Sequence, residues 1–348
     1  MNELISGTAS ARRWRMLFPV LLACVFYLLF SRAPVPGLPE MMAEGVLSGR
    51  DGSEHLSLMA LGAISLVTVL GFAEILRVLA PSLMARCETT RFYGAVIGLL
   101  VIAVTVLQGS GILQAFMAMG YTQDRPLALF VGLASFAGVS LLLLWFEGMI
   151  RLPGLDSGIW VLLAIPAFAT LFSWLPQAFE MLRYGIPLTD YLLLSAFVLS
   201  VIVLAAGACL LLSAGSRRPD ALRMLLWPPV LANGLLVYLG PLVMVFLPET
   251  HQYDPAAWTL IEVVLLVPLM AAFVFGYCRI YGKGTGADGK PALHPAMLAV
   301  PVLAVQVFIF AGSKLLNVFA ELPVMIEGYM LTVCVAVMFS LLQLLRRA

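Results

Sequence analysis

The sequence predicts an all-α membrane protein whose helices cross the bilayer ten times. Of its 348 residues, 62% are hydrophobic and 11% are charged, whereas a soluble globular domain carries about 25% charged residues. The mean hydropathy is +1.01. The apolar residues form long continuous runs, which are not the short alternating segments of a transmembrane barrel. Lipid is therefore the expected solvent for most of the chain.

Ten apolar runs have the length of a membrane-spanning helix, since about 20 residues cross a hydrocarbon core about 30 Å thick. The predicted spans are residues 16–32, 56–79, 93–113, 126–149, 158–176, 189–212, 224–247, 256–281, 294–312 and 324–345. Residues 1–15 precede the first span, and a short external loop at 34–55 follows it. An even number of spans puts both termini on one side of the membrane.

Basic residues predict which side that is. Of the 20 lysines and arginines, the few that fall away from the termini are Arg32, Arg50, Arg125, Arg183 and Lys314. Cytoplasmic loops of membrane proteins carry the excess of lysine and arginine. Both termini are therefore predicted to be cytoplasmic.

The residue types that usually carry catalysis or hold metals form no motif. His55, His251 and His294 lie at helix ends or in loops and share no ligand spacing. The segment "GTGADGK" (284–290) has the spacing of a phosphate-binding loop, but Pro291 stands where that loop needs a serine or threonine. The five cysteines form no C-x-x-C pair and are interpreted as small buried residues. The sequence predicts a protein that is not an enzyme and has no metal or cofactor.

Four carboxylates fall inside or close to the predicted spans, namely Glu74, Glu147, Glu262 and Glu327. An ionisable residue within a membrane is a functional candidate by default. These four lie within about two helical turns of an interface, where snorkelling or a local ion pair accounts for them. Arg77 follows Glu74 by one turn on the same helix face, so we expect these two residues to pair.

The polar residues predicted to lie deepest are neutral. They are Thr68, Gln108, Asn233, Gln306 and Thr332. Such side chains often form hydrogen bonds between helices. A row of them could equally line a seam between two helices that separate, and periodicity leaves both interpretations open.

The stretch "WFEGMIRLPGLDSGI" at residues 145–159 carries a specific pattern. It resembles the junction of the fourth and fifth helices in SecY, the protein-conducting channel of the general secretory pathway, where the family pattern is approximately W-x-x-E-x-I-x-x-x-G-I-x-x-G-I. The positions in register are Trp145, Ile150, Gly154, Gly158 and Ile159. The family's glutamate position is Gly148 here, and Glu147 lies one residue earlier.

Three further segments resemble the same family in the same order. "RRWRMLFPVLLACVFYLLFSRAPVPGLPE" is similar to its first helix and the turn after it. "SLMALGAISLVTVLGFAEILRVLAPSL" is similar to the second helix, and "RFYGAVIGLLVIAVTVLQGSGI" to the third. The resemblance covers roughly residues 12–176 and continues beyond as the order of helices.

This resemblance implies two inverted five-helix halves, residues 16–176 and 177–348, around an hourglass pore. The pore would open sideways to lipid between the second and seventh spans, and a ring of apolar side chains would narrow it. The register places the ring at Val67, Gly71, Leu163, Ala167, Leu231 and Val333. A polar seam along the side opening is expected at Thr68, Gln108 and Asn233. Ordinary helix packing is the alternative interpretation of the ring positions.

The implied function is the membrane insertion or translocation of polypeptides, in the inner membrane of a bacterium and with small SecE-like and SecG-like subunits. In the family, long cytoplasmic loops after the sixth and eighth helices dock the ribosome or the SecA motor. Here these loops shorten to about residues 213–221 and 281–295. We therefore expect weak or no binding of SecA and the ribosome, and no specific nucleic acid partner.

Two other classes of function stay open at this stage. One is a SecY-derived scaffold or accessory protein that no longer conducts. The other is a small-molecule transporter, which the lack of a charge at the membrane midplane disfavours.

Overall fold

The computed structural model describes residues 2–36, 40–48, 56–120, 126–183, 188–215, 222–245, 255–281, 295–319 and 328–346. Within these ranges the chain forms α1 (Asn2–Ser31), α2 (Glu40–Ser48), α3 (Ile64–Leu79), α4 (Pro81–Glu88), α5 (Tyr93–Ala118), α6 (Pro126–Met149), α7 (Ile159–Arg183), α8 (Leu188–Gly215), α9 (Arg223–Met244), α10 (Pro255–Tyr281), α11 (Pro295–Phe319) and α12 (Gly328–Arg346). The described ranges contain no β-strand, and an isolated bridge joins Pro34 to Ser57. The all-α prediction is confirmed.

Among the described residues, seven helices are long and apolar enough to cross a membrane by length and composition. They cover Trp14–Ser31, Tyr93–Ala118, Leu129–Met149, Thr189–Ala214, Ala256–Ile280, Met297–Val318 and Gly328–Arg346. The chain is therefore a multi-pass membrane protein. The other three predicted spans correspond to the 16-residue α3, the shorter apolar stretch Ile159–Phe172 of α7, and α9, which contains three prolines and an asparagine. The count of ten crossings stays a prediction.

The prediction that the second span begins at residue 56 is wrong, because its helix begins at Ile64. The preceding residues pair with the chain that leaves α1: the amide of Val35 donates to the carbonyl of Leu56 at 2.9 Å, and the amide of Leu58 donates to Ala33 at 2.8 Å. Gly62 then adopts a positive φ of 46°. The apolar run in the sequence continues through a turn that backbone pairing to another segment holds in place.

The loop predicted to resemble a plug contains a short helix. α2 lies within residues 34–55, and Val46 on it is almost completely buried. Residues 37–39 and 49–55 of that loop lie outside the described ranges.

Several helix ends meet at one end of the bundle, which we call the basic end. There α3, α6, α10 and α12 end, and α7 and α9 begin. The loop of residues 150–158 joins α6 to α7 at this end. Its backbone contacts both neighbours: the hydroxyl of Ser340 on α12 donates to the carbonyl of Pro153, and the amide of Leu222 donates to the carbonyl of Gly154. This is the end that the basic residues predict to be cytoplasmic.

Reporter fusions test the predicted orientation. Arg218, between α8 and α9, and His251, between α9 and α10, both lie outside the described ranges. Because lysines and arginines concentrate at the basic end, a reporter fused after Arg218 is expected to be cytoplasmic and one fused after His251 external. A paired alkaline phosphatase and green fluorescent protein assay at each position measures this. Reversed signals at both positions would contradict the orientation.

Candidate functional site

The helices that flank the predicted side opening are in contact. A Cβ placed on Gly71 of α3 would lie 3.6 Å from Cδ2 of Leu231 on α9, an ordinary van der Waals distance. Nearer the basic end, a Cβ on Gly276 of α10 would lie 2.4 Å from Cγ1 of Val78 on α3. The two backbones approach closely there because Gly276 has no side chain. We call this contact of α3 with α9 and α10 the side seam.

A buried carboxylate of α3 interacts with residues of α9 and α10 across the side seam. Glu74 is 4% exposed. The hydroxyl of Tyr277 on α10 donates to Glu74 Oε2 at 2.7 Å, and Arg223 Nη2 at the start of α9 lies 3.9 Å from Glu74 Oε1. Glu74 also pairs with Arg77, as the sequence predicts, and Arg77 in turn pairs with Glu88 of α4.

Asp156, in the loop between α6 and α7, is the second buried carboxylate at this end. Arg223 binds its Oδ2 through Nε at 2.7 Å and through Nη2 at 2.6 Å. Two indole groups donate as well, that of Trp160 to Oδ1 at 3.2 Å and that of Trp227 to Oδ2 at 3.4 Å. The two indole rings meet edge to face with centroids 4.8 Å apart. Glu74, Arg77, Asp156, Arg223 and Tyr277 together form what we call the basic-end clamp.

The glycines of the 145–159 stretch allow the loop to reach this position. Gly154 has a positive φ of 83°, which a side chain disfavours. A Cβ on Gly158 would lie 2.6 Å from the carbonyl oxygen of Glu147, so the loop can close against α6 only with glycine at this position. Ser157 then donates to Glu147 Oε1 at 2.7 Å and accepts from the amide of Ile159 at 3.2 Å, which caps the start of α7.

A pair of prolines interrupts the hydrogen bonding of α9 just beyond the clamp. Pro228 and Pro229 have no amide hydrogen, so the carbonyls four residues earlier, those of Met224 and Leu225, lose their helical donors. Gln306 of α11 replaces both donors, because its Nε2 lies 2.9 Å from each of these two oxygens. Its own Oε1 is buried with no partner among the described residues. Gln306 therefore interacts with α9 through its side-chain NH₂ group, which donates to the two carbonyls.

The six residues predicted to line a pore ring occupy the interior of the bundle. Val67 and Leu163 are partly buried and pack on the same hydrophobic core that contains Leu231 and Val333. Ala167 and Gly71 are buried as well. The structure places Gly71 against Leu231 across the side seam. That these six residues line a pore stays a prediction.

The three residues predicted to form a polar seam have separate surroundings. The hydroxyl of Thr68 donates to the carbonyl of Ile64 in its own helix at 2.9 Å. Gln108 accepts a hydrogen bond of 2.9 Å from Ser65, which joins α5 to α3. Asn233 of α9 is exposed on the bundle surface. Their joint role also stays a prediction.

The remaining polar candidates have local or interhelical partners. Glu262 on α10 pairs with Lys314 on α11, and the hydroxyl of Thr332 donates to the carbonyl of Gly328 in its own helix at 2.9 Å. Glu327 lies outside the described ranges. Within those ranges, no group of three or more histidine, cysteine, aspartate or glutamate residues is arranged to hold a metal ion.

A cavity of about 370 Å³ lies beside the basic-end clamp. Its wall includes the charged residues Glu74, Arg77, Glu88, Glu147, Asp156 and Arg223. The charged groups are therefore concentrated at the basic end of the side seam, and the apolar contact of Gly71 with Leu231 lies farther along it.

Two of the five clamp residues were predicted from the sequence. The spacing of Glu74 and Arg77 predicted their local pair, but no partner was predicted for Arg223, and neither Asp156 nor Tyr277 was singled out. Arg223 follows Asp156 by 67 residues and Tyr277 follows Glu74 by 203 residues. Glutamate followed one turn later by arginine is a local pattern, whereas these long-range partners have no signature in a single sequence.

Solved structures of protein-conducting channels share this fold. No protein-family profile matches the sequence, and no curated protein matches it either. A SecY structure concerned with its plug domain, which stabilises the closed state and maintains a membrane seal, matches at 15% identity with a TM-score of 0.56. Sec61 of the canine ribosome-channel complex from the endoplasmic reticulum matches at 15% identity with a TM-score of 0.57. Another protein-conducting channel matches at 14% identity with a TM-score of 0.56. Each comparison covers 95% of this chain and 92% of the other. The chain therefore has the SecY/Sec61 channel fold.

Replacing Gln306 by leucine tests whether its side chain substitutes for the two amide donors that Pro228 and Pro229 lack. The variant leaves the carbonyls of Met224 and Leu225 without their side-chain donor, and each unsatisfied buried group costs roughly 1–3 kcal/mol. The apparent unfolding temperature in detergent is expected to fall by several degrees. Ser313→Ala is the matched control on the same helix, because the hydroxyl of Ser313 bonds only within α11, to the carbonyl of Phe310. Equal effects of the two variants would contradict this role of Gln306.

Proposed function

We propose that this protein is a SecY-like channel for the membrane insertion or translocation of polypeptides. The observation that carries the proposal is the SecY/Sec61 fold over 95% of this chain. We assign it to the inner membrane of a bacterium on its resemblance to SecY. Both termini are proposed to be cytoplasmic, because the basic residues concentrate at one end of the bundle. The chain is not proposed to be an enzyme or to need a cofactor.

The proposed mechanism uses the side seam as the exit to lipid. An apolar helical client binds better to the parted seam than to the closed one, and this differential affinity shifts the population toward the open state. In the closed state Leu231 fills the space in front of Gly71. The proposed ring positions Val67, Leu163, Ala167 and Val333 are apolar as well, and an apolar constriction excludes ions because it cannot replace their hydration.

One observation favours a second candidate, a scaffold of SecY type that does not conduct. Ala167 and Leu231 are each 2% exposed and Val333 is 1% exposed, as expected for permanent core residues. A scaffold would keep this packing in every state. A channel would expose these side chains to water when it opens, so ion conductance separates the two candidates.

The proposed partners are a polypeptide client, the lipid bilayer and small SecE-like and SecG-like membrane subunits. α8 ends at Gly215 and α9 begins at Arg223, so only residues 216–222 separate the two helices in the sequence. Seven extended residues reach about 25 Å and must turn back after about 12 Å. Most of both predicted loops, 213–221 and 281–295, lies outside the described ranges.

A lysine in the proposed ring is expected to cause an ion leak. Leu231→Lys and Leu163→Lys each place a charge at the proposed constriction, where water can reach it from both sides. Conductance of proteoliposomes or planar bilayers should then rise several-fold over the unmodified protein.

Val237→Lys on the lipid-facing side of α9 is the matched control, because Val237 is 66% exposed. A charge that faces lipid makes membrane insertion less favourable by roughly 2.5–3.5 kcal/mol. It does not create a water-filled path through the protein. This control should lower yield or stability without raising conductance. Folded Leu231→Lys and Leu163→Lys proteins that conduct no more than the unmodified protein would favour the scaffold.

Short loops are expected to prevent SecA-driven secretion and strong ribosome binding. Reconstituted protein supplied with SecA, ATP and a secretory precursor should protect no more precursor from protease than empty liposomes do. Co-sedimentation with ribosomes at physiological salt should leave most of the protein in the supernatant. An ordinary SecY complex in parallel reactions is the positive control, and efficient SecA-dependent translocation would refute this part of the proposal.

A further inference from the structure

We infer that α9 is a two-part helix: the basic-end clamp fixes its first turns, and the remainder pivots at Pro228–Pro229, so that the side seam parts from the end opposite the clamp. This inference deepens the proposed function by stating where and how the seam would open. It rests on hydrogen bonds, burial and close packing that differ between the two parts of one helix.

The first part of α9 is held from several directions. Arg223 binds Asp156 and lies beside Glu74, and the indole of Trp227 donates to Asp156. The amide of Leu222, just before the helix, donates to the carbonyl of Gly154. Removing one member of a buried ion pair is strongly destabilising, because it leaves an uncompensated buried charge. Movement of this part away from the loop would leave Asp156 in that condition.

The neighbouring helices are also joined most tightly at this end. Tyr277 of α10 donates to Glu74 of α3, and one turn farther along α3 Val78 packs against Gly276. The described ion pairs that involve α3 lie at Glu74 and Arg77, near its last turns. Farther from the basic end, Gly71 meets Leu231 by apolar contact.

The surroundings of α9 change about one turn beyond the prolines. From Met224 to Pro229 every residue is buried. Beyond Ala232, exposed residues become frequent: they include Asn233, Gly234, Val237, Tyr238 and Leu239. The second part therefore has fewer protein contacts to lose when it moves against lipid.

Gln306 allows the helix to bend without exposing polar backbone to lipid. Prolines are tolerated in membrane helices where neighbouring side chains satisfy the freed backbone groups. The two carbonyls freed in α9 both belong to the fixed part, and Gln306 of α11 binds both of them. Bending at the prolines does not have to break these two bonds, because neither joins the fixed part to the movable part.

Distance measurements by pulsed electron paramagnetic resonance test the pivot in the full chain without any client. The background replaces the five cysteines by alanine, and the protein is placed in lipid nanodiscs. One spin-label pair reports on the end opposite the clamp, through Ile64→Cys on α3 and Val237→Cys on α9. The other reports on the basic end, through Leu76→Cys on α3 and Phe275→Cys on α10. All four side chains are exposed.

The opposite-end pair is expected to give a broad distribution that includes a longer distance, and the basic-end pair a single narrow one. Pro228→Ala combined with Pro229→Ala restores the two backbone donors, so it should narrow the opposite-end distribution and leave the basic-end distribution unchanged. Glu74→Gln should broaden the basic-end distribution instead. Pro268→Ala on α10 is the matched proline control and should change neither distribution.

Equal widths for the two pairs, or an opposite-end distribution that the double alanine variant leaves unchanged, would overturn the inference. The measurement uses no polypeptide client and no transport assay, so a protein that conducts nothing can still show the pivot. Conversely, a working channel that lacks the pivot would retain the proposed function and refute this inference alone.

Discussion

The buried carboxylate of Asp156 is the constraint around which the basic end of this bundle is arranged. A buried charge is tolerated only when donors and an opposite charge surround it. Asp156 obtains them from Arg223 at the start of α9 and from the indoles of Trp160 and Trp227. These donors belong to α7 and α9, which the resemblance to SecY assigns to opposite halves of the molecule. One charge therefore joins the first turns of α7 and α9.

The same arrangement explains the small residues beside it. Asp156 reaches Arg223 only if its loop closes against α6, and Gly158 permits this closure because a Cβ would lie 2.6 Å from a backbone oxygen. Gly154 turns the chain with a positive φ and presents its carbonyl to the amide of Leu222. The SecY-like spacing of glycines in the 145–159 stretch thus has a physical basis in this chain.

Prediction from sequence succeeded where the signal is local or extends over a whole helix. Long apolar runs predicted the seven described helices that are long and apolar enough to cross a membrane, and the spacing of Glu74 and Arg77 predicted their ion pair. It failed at residue 56, because pairing of the segment after α1 with residues 56–58 holds a turn that apolar composition cannot reveal. It also did not identify the role of Gln306. The two adjacent prolines in α9 were visible in the sequence, but which helix would supply the missing donors depends on packing between α9 and α11.

The small residues at the proposed ring change how a channel of this kind would close. In a ring of large side chains, each helix contributes a side chain that helps to block the pore. When one helix shifts slightly, the side chains of the other helices still block it. Here Gly71 contributes no side chain, and Leu231 from α9 fills the space in front of it. In the proposed channel, the seal at this point would therefore depend on how closely α9 approaches α3. Leu231 lies two residues beyond Pro229, in the part of α9 inferred to pivot. If Leu231 lines the pore as proposed, movement at the prolines would both part the side seam and withdraw this side chain, so one hinge would control the lateral opening and the pore.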